Sequence, residues 1–171
     1  MANNMPIFVE VWPVATDKVA IWLVSGLAPW TSGPVQSDDE PHAEVEYVLS
    51  QHDLLDRAQL IHSTSWRVEE NYLLLTYMIV VDAPQLIVDA WPDAKPVGVP
   101  LAEHVGPTIP YQPIDAPIPR HIDVLLHGLR HLKFLSETDA TNAAAFTPSW
   151  LTHLNALSPA LAGMYKDNIP E

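Results

Sequence analysis

The chain has 171 residues and a hydrophobic fraction of 48%, enough for one compact domain with a real core and too little for two. Eight Lys and Arg stand against 21 Asp and Glu, and the formal net charge of −13 repels phosphate backbones and anionic membranes, which excludes a general nucleic-acid binder and a membrane-surface protein. No cysteine is present, so disulfides, thiolate nucleophiles and Cys-based metal centres are excluded. The start, Met-Ala-Asn-Asn-Met-Pro, has no basic region followed by an apolar run, and the expectation is a soluble, cytoplasmic α/β protein.

From Ile7 to Val14 the residues are mostly β-branched or aromatic, and a second such run covers Val19 to Val24, which together predict a β-hairpin. Ile7, Val9 and Val11 fall on one face and Phe8, Glu10 and Trp12 on the other; with apolar residues on both, the sheet is expected to be covered on two sides. Gly26 to Glu40 is rich in Pro, Gly, Ser and Asp and reads as a loop without an element of its own. Asp39 or Glu40 is positioned to cap a helix that starts at Pro41 and runs to about His52. Strands are predicted over Gln59 to Trp66 and Tyr72 to Val81, antiparallel, with Arg67-Val68-Glu69-Glu70-Asn71 as the turn.

Pro84 to Pro119 holds nine of the 17 prolines, a density that breaks long helices and central strands and leaves room for a short edge strand at Gln85 to Val88. Its apolar residues predict a segment that packs over the surface. A helix is expected from Arg120 to Leu135, then an Ala-rich turn over Asp139 to Phe146. Thr147-Pro148 and Ser158-Pro159 each combine a cap with a first-turn proline, predicting short helices at about Ser149 to Leu157 and Ala160 to Tyr165. The expected organisation is a single domain over 1–171: a core over 6–82, a covering segment over 83–119 and C-terminal helices over 120–171 packed on the core.

The order strand, strand, loop with Trp30 and Gly33, acidic cluster, helix, Leu54, strand, turn, strand resembles the Nudix fold over about Pro6 to Asp82. That family's signature, GX5EX7REUXEEXGU with U aliphatic, forms a loop–helix–loop whose glutamates hold divalent metal against a diphosphate. With its end laid on Asp53-Leu54, the aliphatic positions fit at Val48 and Leu54 and Asp38 falls at the loop acid. Tyr47 stands at the first helical glutamate, Ser50 and Gln51 stand at the paired ones, and Gly33 lies one place from the leading glycine. The resemblance therefore implies a Nudix-like α/β sandwich with a degenerate box, because a magnesium site needs hard anionic oxygens that neutral Ser and Gln do not supply.

Asp38, Asp39, Glu40, His42 and Glu46 offer an alternative ligand set for a divalent metal; the simpler reading is acids that favour a helix N-terminus and an i,i+4 surface pair. His127 and His131 have zinc-ligand spacing but no third partner in register with them, and read as a solvated helix flank. His62-Ser63-Thr64-Ser65-Trp66-Arg67 is the densest run of polar chemistry. His62 and Ser63 point to opposite faces and form no nucleophile pair, while Ser63, Ser65 and Arg67 share a face in a regular strand. The alternative there is hydroxyls serving the sheet, Trp66 in the core and Arg67 paired with Glu69 or Glu70. The expected ligand set is Tyr47, Gln51, Ser63, Ser65, Trp66 and Arg67, with Arg67 gripping an anionic small molecule. No catalytic residue, metal or cofactor is expected. The functional expectation is a non-catalytic ligand- or protein-binding domain, with a homodimer as the partner to be expected; a divergent metal-dependent hydrolase of a diphosphate-linked compound and a homo-oligomeric interaction protein without a small ligand are the alternatives.

Overall fold

A long strand at the centre of the sheet organises the protein. β1 (Ile7–Thr16) is buried over its last eight residues because other strands flank it on both edges and helices cover both faces. In the computed structural model, which describes residues 5–36, 38–83, 86–98 and 119–161, the sheet is mixed, with six strands. One edge of β1 runs parallel to β5 (Tyr72–Val81), from Ile7 opposite Leu73 to Val14 opposite Val80. The other edge is shared by two short antiparallel partners: β3 (Trp30–Ser32) along Val9 to Val11, and β2 (Ile21–Leu23) along Val14 to Thr16. Pro13 falls between them. Its carbonyl accepts from the Val24 N–H at 2.8 Å, so its missing N–H faces the same gap, where no ladder bond is lost. Asp17 closes the β1–β2 turn by accepting from the Val19 and Ala20 N–H groups at 2.7 and 2.8 Å.

β4 (Ala58–Glu69) pairs antiparallel with β5 and forms one end of the sheet, and β6 (Lys95–Pro96) pairs with β2 at the other. The expected hairpin Ile7 to Val24 is present. Two strand expectations are corrected: Trp30–Ser32 is a strand inside the segment read as loop, and β4 runs through Arg67 to Glu69, so the turn is only Glu70-Asn71, with Glu70 at φ 48°.

α1 (Pro41–Gln51) begins on Pro41 as expected, but Glu40 occupies the cap without a side-chain hydrogen bond. It lies on the face formed by Val9, Val11, Ala15, Tyr77 and Ile79, and contributes Val45, Val48 and Leu49 to that core. Where a short edge strand is expected, Ile87–Ala90 is one helical turn, α2; Gln85 is outside the described residues. α3 (His121–Thr138) covers the opposite face, where Trp12, Val14, Met78 and Val80 meet Val124, Leu125, Leu129 and Leu132. Gly128 permits the approach: a Cβ there would stand 2.5 Å from the Met78 sulfur. α4 (Ala140–Ala143) and α5 (Pro148–Leu154) follow, the latter capped by Thr147, whose hydroxyl accepts from the Trp150 N–H, with Pro148 in its first turn as the sequence predicts. Trp150 and Leu154 join the same core. The helix expected over Ala160 to Tyr165 is not begun at Ala160-Leu161, and its remainder lies outside the described residues, as does most of the proline-rich segment. Among the described residues no helix is long and apolar enough to cross a membrane.

Candidate functional site

The six residues expected to share a ligand are split across the sheet. On α1, the Ser32 hydroxyl donates to Glu44 and the His52 ring stacks on Trp30 at 3.6 Å, fixing one flank against β3; His42 meets Tyr77 edge-on at 6.4 Å, fixing the other toward β5. Gln51, two turns beyond Glu44, follows the β3 flank, and Tyr47 points away from the buried stripe with 57% of its surface exposed.

Along β4 the expected alternation fails at a β-bulge. His62 pairs with Met78 and Ser63 with Tyr77, but Ser65 pairs with Thr76, leaving Thr64 as the extra residue. Ser63 and Trp66 therefore lie on the α1 face, while Ser65 and Arg67 lie on the α3 face with Thr76 and Leu74. Trp66 is 49% exposed, so it is not a core residue either.

Arg67 is committed to an internal network. Nη1 and Nη2 donate to the two carboxylate oxygens of Glu10 at 2.6 and 2.8 Å, and Nε donates to Glu69 at 2.6 Å. Glu10, only 1% exposed, also accepts from the Thr76 hydroxyl at 2.5 Å, and the Tyr72 hydroxyl donates to Glu69 at 2.8 Å. Burial disfavours the Arg67 charge, yet the two glutamates hold its pKa above the ordinary arginine value. Burial likewise draws Glu69 upward, but the Tyr72 hydroxyl and Arg67 outweigh it and hold the carboxyl below its usual range. Of the alternative pairings with Glu69 or Glu70, the one with Glu69 is present in place of an open anion anchor; the principal partner, Glu10, is one the sequence signals as a lone acid in an apolar strand, on the face it shares with Trp12 and Val14.

The histidines of α3 also depart from expectation. His131 is buried rather than solvated, with its ring 5.1 Å from that of His62. Burial, together with neighbouring His62 and His127, pushes its pKa down to about 4 against the opposing pull of the Thr64 backbone carbonyl, and its Nδ1 has no hydrogen-bond partner. Burial also lowers His62, opposed by Asp139. Lys133, equally buried, is held by the Asn155 side chain at 2.6 Å and by Glu137 at 2.7 Å. Asp38, Asp39 and Glu40 before α1 are exposed, and His42 stands 3.6 Å from Glu46 on the same helix. Among the described residues no three His, Asp or Glu side chains converge in a metal-binding arrangement.

Among the described residues, a cleft with room for a ligand lies elsewhere on the α3 face. A cleft of about 160 Å³ opens between the β2–β6 edge and the first turns of α3, lined by Trp12, Leu23, Leu27, Val97, Ile122 and Leu125, with Lys95 and His121 exposed at its margin. The ring of His121 stands edge-on to Trp12 at 5.8 Å. No ion pair engages Lys95 among the described residues. Sequence reasoning passed over Lys95 because it sits in the proline-rich stretch; its signal was the scarcity of cations in so acidic a chain. A second cleft, also about 160 Å³, lies at the opposite end of the sheet among Thr16, Gln59, Asp82, Thr147 and Trp150, without a cationic side chain. No protein-family profile, curated protein or solved structure matches the chain.

Proposed function

We propose that this chain is a Nudix-like domain that binds a small anionic molecule without hydrolysing it, and that the ligand occupies the cleft between β6 and α3. The observation that carries the binding reading is the margin of that cleft: Lys95, in no ion pair among the described residues, stands with the His121 ring beside the positive end of an 18-residue helix, over an apolar hollow in a molecule of net charge −13. Kinship with the Nudix fold is supported by the box positions. Val48 and Leu54, at its aliphatic places, are buried, and Asp53, at the place of its glycine, has φ 55°, the left-handed conformation that favours glycine. A binding role is supported by the neutral face that α1 offers where that box carries glutamates: Tyr47 is exposed, the Ser50 hydroxyl donates to the Tyr47 carbonyl at 2.7 Å, and Gln51 has no charge to give a cation.

A thermal-shift panel of anionic metabolites tests the reading. At least one is expected to raise the melting temperature of the native protein and not that of Lys95→Ala. A binder indifferent to Lys95→Ala sinks the cleft. Phosphate release from nucleoside diphosphate derivatives that depends on magnesium or manganese and is lost in Asp39→Asn or Glu46→Gln sinks the non-hydrolytic role.

A further inference from the structure

We infer that the cleft selects monocarboxylates whose apolar part is about the size of one benzene ring, a conclusion that rests on the cleft being the ligand site. The first ground is volume. An apolar cavity of roughly 150 Å³ accommodates a single benzene, and this cleft offers about 160 Å³. A ring or a branched short chain fills it, whereas a nucleoside diphosphate would leave most of its bulk outside the hollow.

The second ground is the chemistry of the walls. Leu23, Val97, Ile122 and Leu125 are aliphatic, Trp12 supplies an aromatic surface, and no carboxylate among the described residues lines the cleft. Leu27, at the margin, keeps 80% of its surface exposed, an apolar group for a ligand body to cover. The third ground is the amount of charge at the mouth. A lysine ammonium is a point charge that pairs with a carboxylate or a phosphate oxygen alike, so the number of cations decides; Arg67 adds none, being occupied by Glu10 and Glu69. One ammonium with one imidazole matches a single negative charge, and a diphosphate calls for more cations than the cleft offers.

The full chain, labelled with ¹⁵N, is to be titrated with phenylacetate, 2-phenylethanol, acetate, inorganic phosphate and a nucleoside diphosphate while the backbone amides of Lys95, Val97, Gly98 and His121 to Leu125 are followed. Phenylacetate is expected to move these resonances saturably, with 2-phenylethanol and acetate each about tenfold weaker or worse. Lys95→Ala should weaken phenylacetate by about tenfold and leave 2-phenylethanol unchanged. Ile122→Trp, or Val97→Trp should the first fold poorly, should fill the hollow and abolish binding. Equal affinity for 2-phenylethanol and phenylacetate overturns the carboxylate assignment. Movement of the cleft resonances by phosphate or the nucleoside diphosphate but not by phenylacetate overturns the ligand class and leaves the cleft as the site. If none of the five probes moves them, both fall.

Discussion

Arg67 illustrates how one residue's context reverses its meaning. On a regular β4, an arginine beside two serines invites an anion, and its loss should leave the empty protein unharmed. In the fold it neutralises Glu10, a carboxylate with almost no contact with water. Removing one partner of such a pair leaves a buried charge without compensation, so Arg67→Ala is expected to destabilise by about 3–5 kcal/mol in urea unfolding. Glu10→Gln in the same background should recover part of the loss, because it removes the stranded charge. Coincident curves for native protein and Arg67→Ala would show that water reaches Glu10 after all. The alternation of β4 was legible and its phase was not: one bulged residue at Thr64 moved Ser65 and Arg67 to the other face, and nothing in His62-Ser63-Thr64-Ser65 announces where a bulge falls.

At the level of elements, helix and strand identities were largely legible because α1, α3, β1 and β5 are long enough for their periodicity to be read. β3 was not, since three residues carry no period and Trp30–Ser32 is a strand only because β1 offers an open edge. The polar flank assigned to α3 failed for a related reason. With the sheet on one side and α4 and α5 on others, its buried arc is wider than that of a helix covered on one face, and it includes Asp123, His131 and Lys133. His131 makes this docking sensitive to acid. Its folded pKa, about 4, lies below the unfolded value of 6.5, so between these limits the unfolded chain binds a proton that the folded chain refuses. Stability from this source is complete above about pH 6.5 and falls as the pH drops toward 4, by roughly 3 kcal/mol in all. Between pH 6.5 and 4 the melting temperature of native protein is expected to fall relative to that of His131→Leu, which has no such group to protonate. A constant difference between them would assign the acid sensitivity to other groups, such as Glu69.

At the scale of the whole molecule, α3 and α5 complete a core begun by β1, β2 and β5, so Trp12, Val14, Met78 and Val80 have no cover without them. Deletion of residues 120–171 is expected to give an aggregating or unfolded chain, and far-ultraviolet dichroism and tryptophan fluorescence of the full protein should report one coincident transition. A soluble truncated form that melts like the parent would make the C-terminal helices a separate unit. The parallel pairing of β1 with β5 also sets the order in which the chain can assemble. Glu10 and Thr76, hydrogen-bonded neighbours, are 66 residues apart, whereas β4 and β5 are joined by a two-residue turn. The hairpin can close in about 1–10 μs once made, but at a synthesis rate of roughly 5–20 residues per second β1 waits about 3–13 s for its central partner. During that interval β1, apolar at seven of its ten positions, leaves the ribosome with the edge meant for β5 unpaired and the face meant for α3 uncovered, so the nascent chain, rather than the finished fold, is where this sequence is most exposed to aggregation.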